Sequence, residues 1–388
     1  MKIAGIIAEY NPFHAGHLYH IQKTREETGC DYVIAVMSGA FTQRGECAFI
    51  DKFARAEAAL LSGVDAVFEL PCVCAVRPAD GFARGGVSVL TMAGADVISF
   101  GSETDDLEKL MRISALLTKE PAALASTIRE GLSAGKTLAR ARGEALSAYL
   151  GISNEEFNQP NTALALEYLS AIKRLQSPLK PHVVKRSAPY HASVLSSGLS
   201  ASEIRAAVYE GRSDEALRLL PEGSGEIMRR ELEKGVSKKG ALDAVALYAL
   251  RSLPSLSFSD AGEGLKERIL NEAKNACSYE NLIERVKCKR YTRARITRAI
   301  ASALIALPEK APLEAPYLRL LGFRRGQEVL ISEISRRSAG KMIANPALLE
   351  SNEAFQAERR ATDLWGLTVQ NEKYRVSGRE RTGKFIVV

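Results

Sequence analysis

Ile3-Ala4-Gly5-Ile6-Ile7-Ala8-Glu9-Tyr10-Asn11-Pro12-Phe13-His14-Ala15-Gly16-His17-Leu18-Tyr19-His20 is the stretch on which the fold turns. Its first six residues form a short apolar run of the kind that fills a strand buried on both faces. Leu18 to Glu27 has the composition of a helix, and Asn11, Pro12 and Gly16 mark a tight turn between the two. Strand, turn, two histidines three residues apart, helix: that order sets both imidazoles at a helix N-terminus. Unpaired backbone amides and the helix dipole favour an anion there. Gly16 removes a side chain where such an anion must come close. Standing after the first strand of an α/β unit, the turn lies where such folds take phosphates.

The pattern continues outward from this unit. Apolar runs at Ile3–Ala8, Tyr32–Met37, Ala66–Leu70, Val97–Phe100 and His182–Lys185 predict strands, separated by helix-like stretches. The alternation predicts an α/β, Rossmann-like parallel sheet covered on both faces. Ligands then gather at the carboxyl ends of the strands. Glu9 to His17, Ser38 to Arg44, Glu69-Leu70-Pro71, Gly101-Ser102-Glu103 and Lys185-Arg186 should therefore converge. Residues 104–160 read as a polar helical insertion. From Gly211 onward the chain reads as helical almost throughout, with a short strand near Glu328–Ile331 and another at the tail, Phe385–Val388. The expected division is an ATP-binding domain over 1–210 and a mostly helical, basic domain over 211–388.

Composition narrows the function. Of 388 residues, 46% are hydrophobic, enough for a full core, and no run reaches the length of a membrane span. The chain enters its first strand at once, so no signal peptide is expected and the protein is expected in the cytoplasm. Six scattered cysteines contain no Cys-x-x-Cys pair and are expected to be buried free thiols. Residues 1–150 carry 15 Lys and Arg against 18 Asp and Glu, whereas the remainder carries 38 against 28. The surplus of +7 thus lies in the later part, as suits an enzyme acting on a polyanion.

Two further motifs carry chemistry. Ser196-Ser-Gly-Leu-Ser200-Ala-Ser202-Glu203-Ile204-Arg205 reads as a capping box, with Ser200 as N-cap and Glu203 three residues on. Together with the His-x-Gly-His turn it also resembles the second phosphate-binding motif of the nucleotidyltransferase superfamily. That resemblance implies that Ser200, Ser202 and Arg205 hold the β- and γ-phosphates of ATP, while His14 and His17 act on the α-phosphate as catalytic residues, with Mg²⁺ sharing the charge. The third motif is basic. Lys289, Arg290, Tyr291, Arg293, Arg295 and Arg298 surround a predicted helix over Tyr291–Leu307, whose apolar face holds Ile296, Ile300 and Leu304. Arg295, Arg298 and the Tyr291 ring are expected on the opposite face, where arginine and an aromatic suit RNA. Arg324-Arg325 and Arg336-Arg337 are expected to extend the patch.

Taken together, Glu9-Tyr-Asn-Pro-Phe-His-Ala-Gly-His-Leu-Tyr-His20, Val36-Met-Ser-Gly39, Gln43-Arg-Gly45, Phe68-Glu-Leu-Pro71, Phe100-Gly-Ser-Glu103, Gln159-Pro-Asn161, Lys289-Arg-Tyr-Thr-Arg-Ala-Arg295 and Tyr317-Leu-Arg-Leu-Leu-Gly-Phe323 resemble the bacterial tRNA(Met) cytidine acetate ligases. The resemblance implies activation of acetate with ATP to acetyl-adenylate, then acetylation of N4 of the wobble cytidine of elongator tRNA(Met). It places ATP contacts on Ile7 through His20, Gly101, Asn161 and Arg186. The family usually reads Pro-Asn-Asn where Thr162 stands here, so a contact made by that second position would be altered. The residues alone leave two other readings open, a small-molecule adenylyltransferase and a non-catalytic RNA-binding protein. No acidic or thiol ligand joins the histidines, so no metal centre is expected, nor is a protein partner.

Overall fold

The computed structural model describes the chain except for residues 120, 137, 151–158, 187–199, 254–255, 309–310 and 384. Five strands, β1 (Ile3–Ala8), β2 (Tyr32–Ser38), β3 (Ala66–Leu70), β4 (Val97–Ser102) and β5 (Lys180–Lys185), lie parallel. Their order across the sheet is β5-β4-β1-β2-β3. The chain moves from β1 through β2 to β3, then returns to the other side of β1 to lay down β4. This reversal makes a topological switch point between β1 and β4, the place where open α/β sheets open a crevice at their carboxyl edge.

Side-chain alternation explains the two layers. Val33, Ala35 and Met37 of β2 face the helices α1 (Ala15–Thr28) and α2 (Lys52–Leu61), whereas Ile34 and Val36 face the opposite core. That opposite side holds α3 (Cys72–Ala75), α4 (Ala79–Met92), α5 (Leu107–Lys119), α6 (Ala122–Ser133), α7 (Leu138–Leu150) and α8 (Pro160–Arg174). Helices α5 to α7 occupy the segment expected to be inserted.

Next come α9 (Ala201–Tyr209), α10 (Ser213–Arg218) and α11 (Glu222–Lys234), which close over the face carrying α1 and α2. Helices α12 (Asp243–Ser252), α13 (Leu265–Ala273), α14 (Tyr279–Val286) and α15 (Arg293–Leu304) gather around a small core of their own. The chain then rejoins the sheet. Strand β6 (Leu318–Phe323) pairs antiparallel with β3, and β7 (Met342–Ile343) and β8 (Ile386–Val387) pair with β6.

Several expectations are corrected. Glu328–Ile331 is not a strand but the first turn of α16 (Glu328–Arg337), because the buried residues are Leu330 and Ile334, one helical turn apart. The strand in that region is β6, ten residues earlier in the chain. Cys72 and Cys74 are buried, but Cys277 and Cys288 are exposed, since they flank α14 in surface connections. Helix α17 (Glu353–Thr368) packs Phe355, Ala357, Ala361 and Trp365 into the larger core, and α18 (Arg379–Thr382) follows it.

Candidate active site

Helix α1 begins at Ala15 rather than Leu18, which makes His14 its N-cap and places His17 in its first turn. The two rings form a capping box in which histidines replace the usual hydroxyl and carboxylate. The Gly16 amide donates to His14 Nδ1 at 3.0 Å, and the His14 amide donates to His17 Nδ1 at 3.2 Å. Each Nδ1 is therefore an acceptor, so in the neutral ring Nε2 carries the proton. The rings lie against each other with centroids 3.9 Å apart. Burial, with Arg186 and Arg205 adding positive charge, lowers His14 to about 4. Burial and the neighbouring His14, Arg186 and His20 hold His17 well below its usual value. Burial likewise brings His20 down to about 3, and its Nε2 lies 3.0 Å from Ser99 Oγ, against the sheet. The helix N-terminus thus presents two neutral imidazoles, each with an Nε2–H donor.

Gly16 is needed for a reason the sequence does not show. A Cβ there would come within 2.9 Å of His14 Cε1, so the glycine makes room for the His14 ring itself. The preceding loop is held from several sides. Tyr10 sits at φ 46°, a conformation that bulky residues keep only where the surroundings impose it. Arg55 is wholly buried and donates through Nη1 to the carbonyls of Glu9 (2.6 Å) and Ser38 (3.0 Å), and through Nη2 to that of Gly39. Phe49 N–H donates to Asn11 Oδ1 at 2.6 Å, and Ser224 Oγ to the Phe13 carbonyl at 2.9 Å. Sequence reasoning missed Arg55. Its only signal is a charge set among alanines on the buried face of α2.

The second motif reaches the first directly. Arg205 donates to the Asn11 carbonyl at 2.6 Å and to Ser202 Oγ at 3.2 Å. Ser200 caps α9, with its Oγ accepting from the Glu203 amide and its own amide donating to Glu203 Oε2. Ser196 to Leu199 lie outside the described residues.

Across the switch point, the ends of β4 and β5 and the start of α8 meet. Glu103 accepts from the Asn161 side chain (2.7 Å) and from the amide and hydroxyl of Thr162 (2.7 and 2.8 Å). Arg186 Nη1 donates to Asn161 Oδ1 at 2.9 Å. Gly101 is the floor beneath that arginine, since a Cβ on it would stand 2.8 Å from Arg186 Cδ. Burial alone would raise Glu103, but the Asn161 and Thr162 hydrogen bonds outweigh it and bring the carboxyl below its usual value. Thr162 is buried and committed to Glu103 and Ser102, whereas Asn161 bridges outward to Arg186. The fourth loop, after β2, arrives where Gln43 N–H donates to Glu9 Oε1 at 2.7 Å. Burial raises the Glu9 carboxyl above its usual range against that hydrogen bond and the nearby arginines. Of the strand-end residues expected to converge, Glu69 does not face the cleft. It is fully buried and ion-paired with Lys52 and Arg319.

The basic helix differs from expectation. Tyr291 is buried in the small helical core and donates its hydroxyl to the Glu263 carbonyl at 2.5 Å, so its ring does not stand on the solvent face. Thr292, the next residue, caps α15, so Tyr291 lies ahead of the helix rather than on its solvent face. Arg298 is nearly buried against Asp260 (3.1 Å), Arg295 pairs with Glu263 (3.0 Å), and Arg293 pairs with Glu280. Arg290 lies 3.5 Å from Glu263, and Lys289 is exposed. Arg324 and Arg337 do not extend this surface. They pair with Asp65 and Asp96, which precede β3 and β4 at the sheet edge opposite the cleft, and Arg336 pairs with Glu333.

A phosphate-seeking helix start, a joined second motif and a switch-point crevice define an α/β nucleotidyl-transferring class. The family described as HIGH Nucleotidyl Transferase matches residues 1–380. The tRNA(Met) cytidine acetate ligase of Thermoanaerobacter sp. (strain X514) is 36% identical over 96% of both chains, and that of Acetivibrio thermocellus 34% identical over the whole of both. The crystal structure of Thermotoga maritima TmcAL bound with alpha-thio ATP superposes with a TM-score of 0.90 at 32% identity over the full length of both chains. The chain belongs to the HIGH nucleotidyl transferase family and, within it, to the tRNA(Met) cytidine acetate ligases.

Proposed function

We propose that this protein activates acetate with ATP and transfers the acetyl group to N4 of the wobble cytidine of elongator tRNA(Met). The reading rests on the pair of neutral imidazoles at the start of α1, set in a cleft whose full-length relatives carry that name. An acetate oxygen attacks the α-phosphorus, pyrophosphate leaves, and acetyl-adenylate results. The N4 amine then attacks the acetyl carbonyl carbon and AMP departs. The protein's part in the first step is positioning and charge stabilisation. His14 and His17 offer Nε2–H donors to the α-phosphate as negative charge shifts toward pyrophosphate. Ser200, Ser202 and Arg205 take the β- and γ-phosphates, and Gly101, Asn161 and Arg186 serve the nucleoside side. Among the described residues the only carboxylate trio close enough for a metal, Glu69, Glu358 and Glu380, is filled by Lys52. Mg²⁺ would therefore arrive on the triphosphate, as it usually does in phosphoryl chemistry.

The second part of the chain, residues 211–388, would carry the tRNA. Lys289, Arg290, Arg293 and Arg295 remain at its surface, and the acidic partners of the three arginines would have to be exchanged for RNA phosphates. No helix among the described residues is long and apolar enough to cross a membrane. The test is incubation with labelled acetate, ATP and Mg²⁺, with and without total tRNA. Acetate-dependent pyrophosphate exchange without tRNA, and N4-acetylcytidine with it, are expected. Exchange driven only by a phosphorylated small molecule would replace this reading with an ordinary adenylyltransferase.

A further inference from the structure

The hairpin after β2 carries a motif, Gln43-Arg44-Gly45, to which the proposed nucleotide chemistry gives no role. Its two arms meet through the Phe41 and Cys47 bridge and the Ala48 to Ala40 hydrogen bond of 2.8 Å. The tip is a turn closed by Gly45 N–H donating to the Thr42 carbonyl at 2.9 Å, with Gly45 at φ 73°. On one side the tip is fixed to the nucleotide loop, through Gln43 N–H on Glu9 and Gln43 Nε2 on the Arg77 carbonyl at 2.8 Å. On the other it is fixed to α15, where Thr297 Oγ1 donates to the Arg44 carbonyl at 2.5 Å. A Cβ on Gly45 would come within 2.5 Å of the Arg298 backbone, so the tip lies directly on that helix.

The hairpin is thus a strut between the adenylation cleft and the basic helical part, with Arg44 at its tip. The Arg44 side chain is exposed and has no ion pair or hydrogen bond among the described residues. This sets it apart from Arg290, Arg293, Arg295 and Arg298, each of which faces a carboxylate. The Arg44 backbone is held between the Glu9 loop, which the neighbouring Gln43 amide binds, and α15, which binds its own carbonyl, so its charge stands where the nucleotide loop meets the basic helix. A cation with a rigid backbone and an uncommitted guanidinium is suited to a phosphate diester that must be held in register.

We propose that Arg44 is a positioning residue that binds a tRNA backbone phosphate beside the wobble cytidine and so holds N4 over the acetyl-adenylate. This rests on the proposed tRNA acetylation and names the contact that couples it to the cleft. The test compares the full chain with Arg44→Ala and Arg44→Lys in two assays, acetate-dependent pyrophosphate exchange without tRNA and acetylation across a range of tRNA and salt concentrations. For Arg44→Ala, exchange is expected to stay within about twofold. The tRNA KM should rise about tenfold, and the salt dependence of tRNA affinity should lose a slope of about one, the share of one phosphate contact. Arg44→Lys should recover part of the KM. An unchanged salt slope, or exchange falling in step with acetylation, overturns the proposal. Absence of acetylcytidine with the unaltered protein would instead remove the underlying reading.

Discussion

At the scale of single residues, the two imidazoles have one role in the fold and a second in the proposed reaction. Their Nδ1 atoms cap α1, and the proposal gives their Nε2–H groups to the nucleotide, so a substitution can separate the roles. His17→Ala removes both. It is expected to lower acetate-dependent exchange about a hundredfold or more, in line with the loss of one preorganised donor, and to weaken the helix start by about 1 kcal/mol. His17→Gln places an acceptor where a capping box wants one, so denaturant unfolding should return to within about 1 kcal/mol of the parent while exchange stays low. The pH behaviour follows from the burial of the rings. His14 titrates at about 4 in the fold and near its ordinary 6.5 when unfolded. Catalysis should therefore show no inflection near pH 6.5. Stability should fall as pH drops from 6.5 toward 4, because only the unfolded chain takes up the proton, and His14 alone accounts for about 3 kcal/mol of that loss. A rate profile breaking at 6.5 would mean that the working rings are solvated.

At the scale of elements, the unit from β1 to α1 was readable because every signal in it is local: an apolar run, a turn, a cap and a helix within 26 residues. The parallel sheet was readable for the same reason, repeated. Gly16 shows the limit. The sequence reading reserved its space for an anion, but the structure gives that space to the His14 ring. Gly16→Ala tests this assignment. Alanine is the better helix former by about 0.8–1.0 kcal/mol, which roughly offsets the about 1 kcal/mol lost as the His14 cap is displaced, so thermal stability should stay close to the parent. The displaced His14 should cost exchange at least about tenfold, since misplacement of about 1 Å can cost more than that. Normal exchange by this variant would show that the ring need not sit where the cap puts it. What could not be read was tertiary. Tyr291 looks like a surface aromatic beside arginines, and only the packing of α12 to α15 reveals that it belongs to their core. Strand β6 pairs with β3 across some 250 residues, so nothing near Leu318 announces its partner.

At the scale of the whole molecule, buried charges tie α2 and β3, near the start of the chain, to β6, α17 and α18, near its end. Lys52 of α2 contacts Glu69 of β3, Glu358 of α17 and Glu380 of α18, while Arg319 of β6 lies 3.0 Å from Glu69 and 2.5 Å from Glu380. All five are essentially inaccessible, and Glu358 also accepts from the Cys72 amide at 2.7 Å. Three carboxylates against two cations leave one surplus charge. Burial and the neighbouring Glu69 raise Glu358 well above the usual range. Burial would raise Glu380 too, but Lys52 and Arg319 outweigh it and hold that carboxyl down. The signs are opposite. The Glu380 contribution is complete above its ordinary pKa of about 4.5 and is lost as pH falls further, whereas ionising Glu358 costs stability as pH rises from there toward neutrality. A pattern spread over 300 residues leaves no local trace, which is why Phe68-Glu-Leu-Pro71 could be seen as a motif and not understood as an anchor. Lys52→Met should remove the centre of this cluster and lower unfolding stability by about 3–5 kcal/mol, the cost of stranding a buried charge. The loss should shrink as pH falls from 8 to 5, because the stranded carboxylates can then bind protons. Adding Glu380→Gln to Lys52→Met should restore part of the denaturant midpoint at pH 8. If Lys52→Met proves nearly neutral at pH 8, the cluster is not what docks α17 and α18 on the sheet, and the docking of α17 rests on its apolar face, Phe355, Ala357, Ala361 and Trp365.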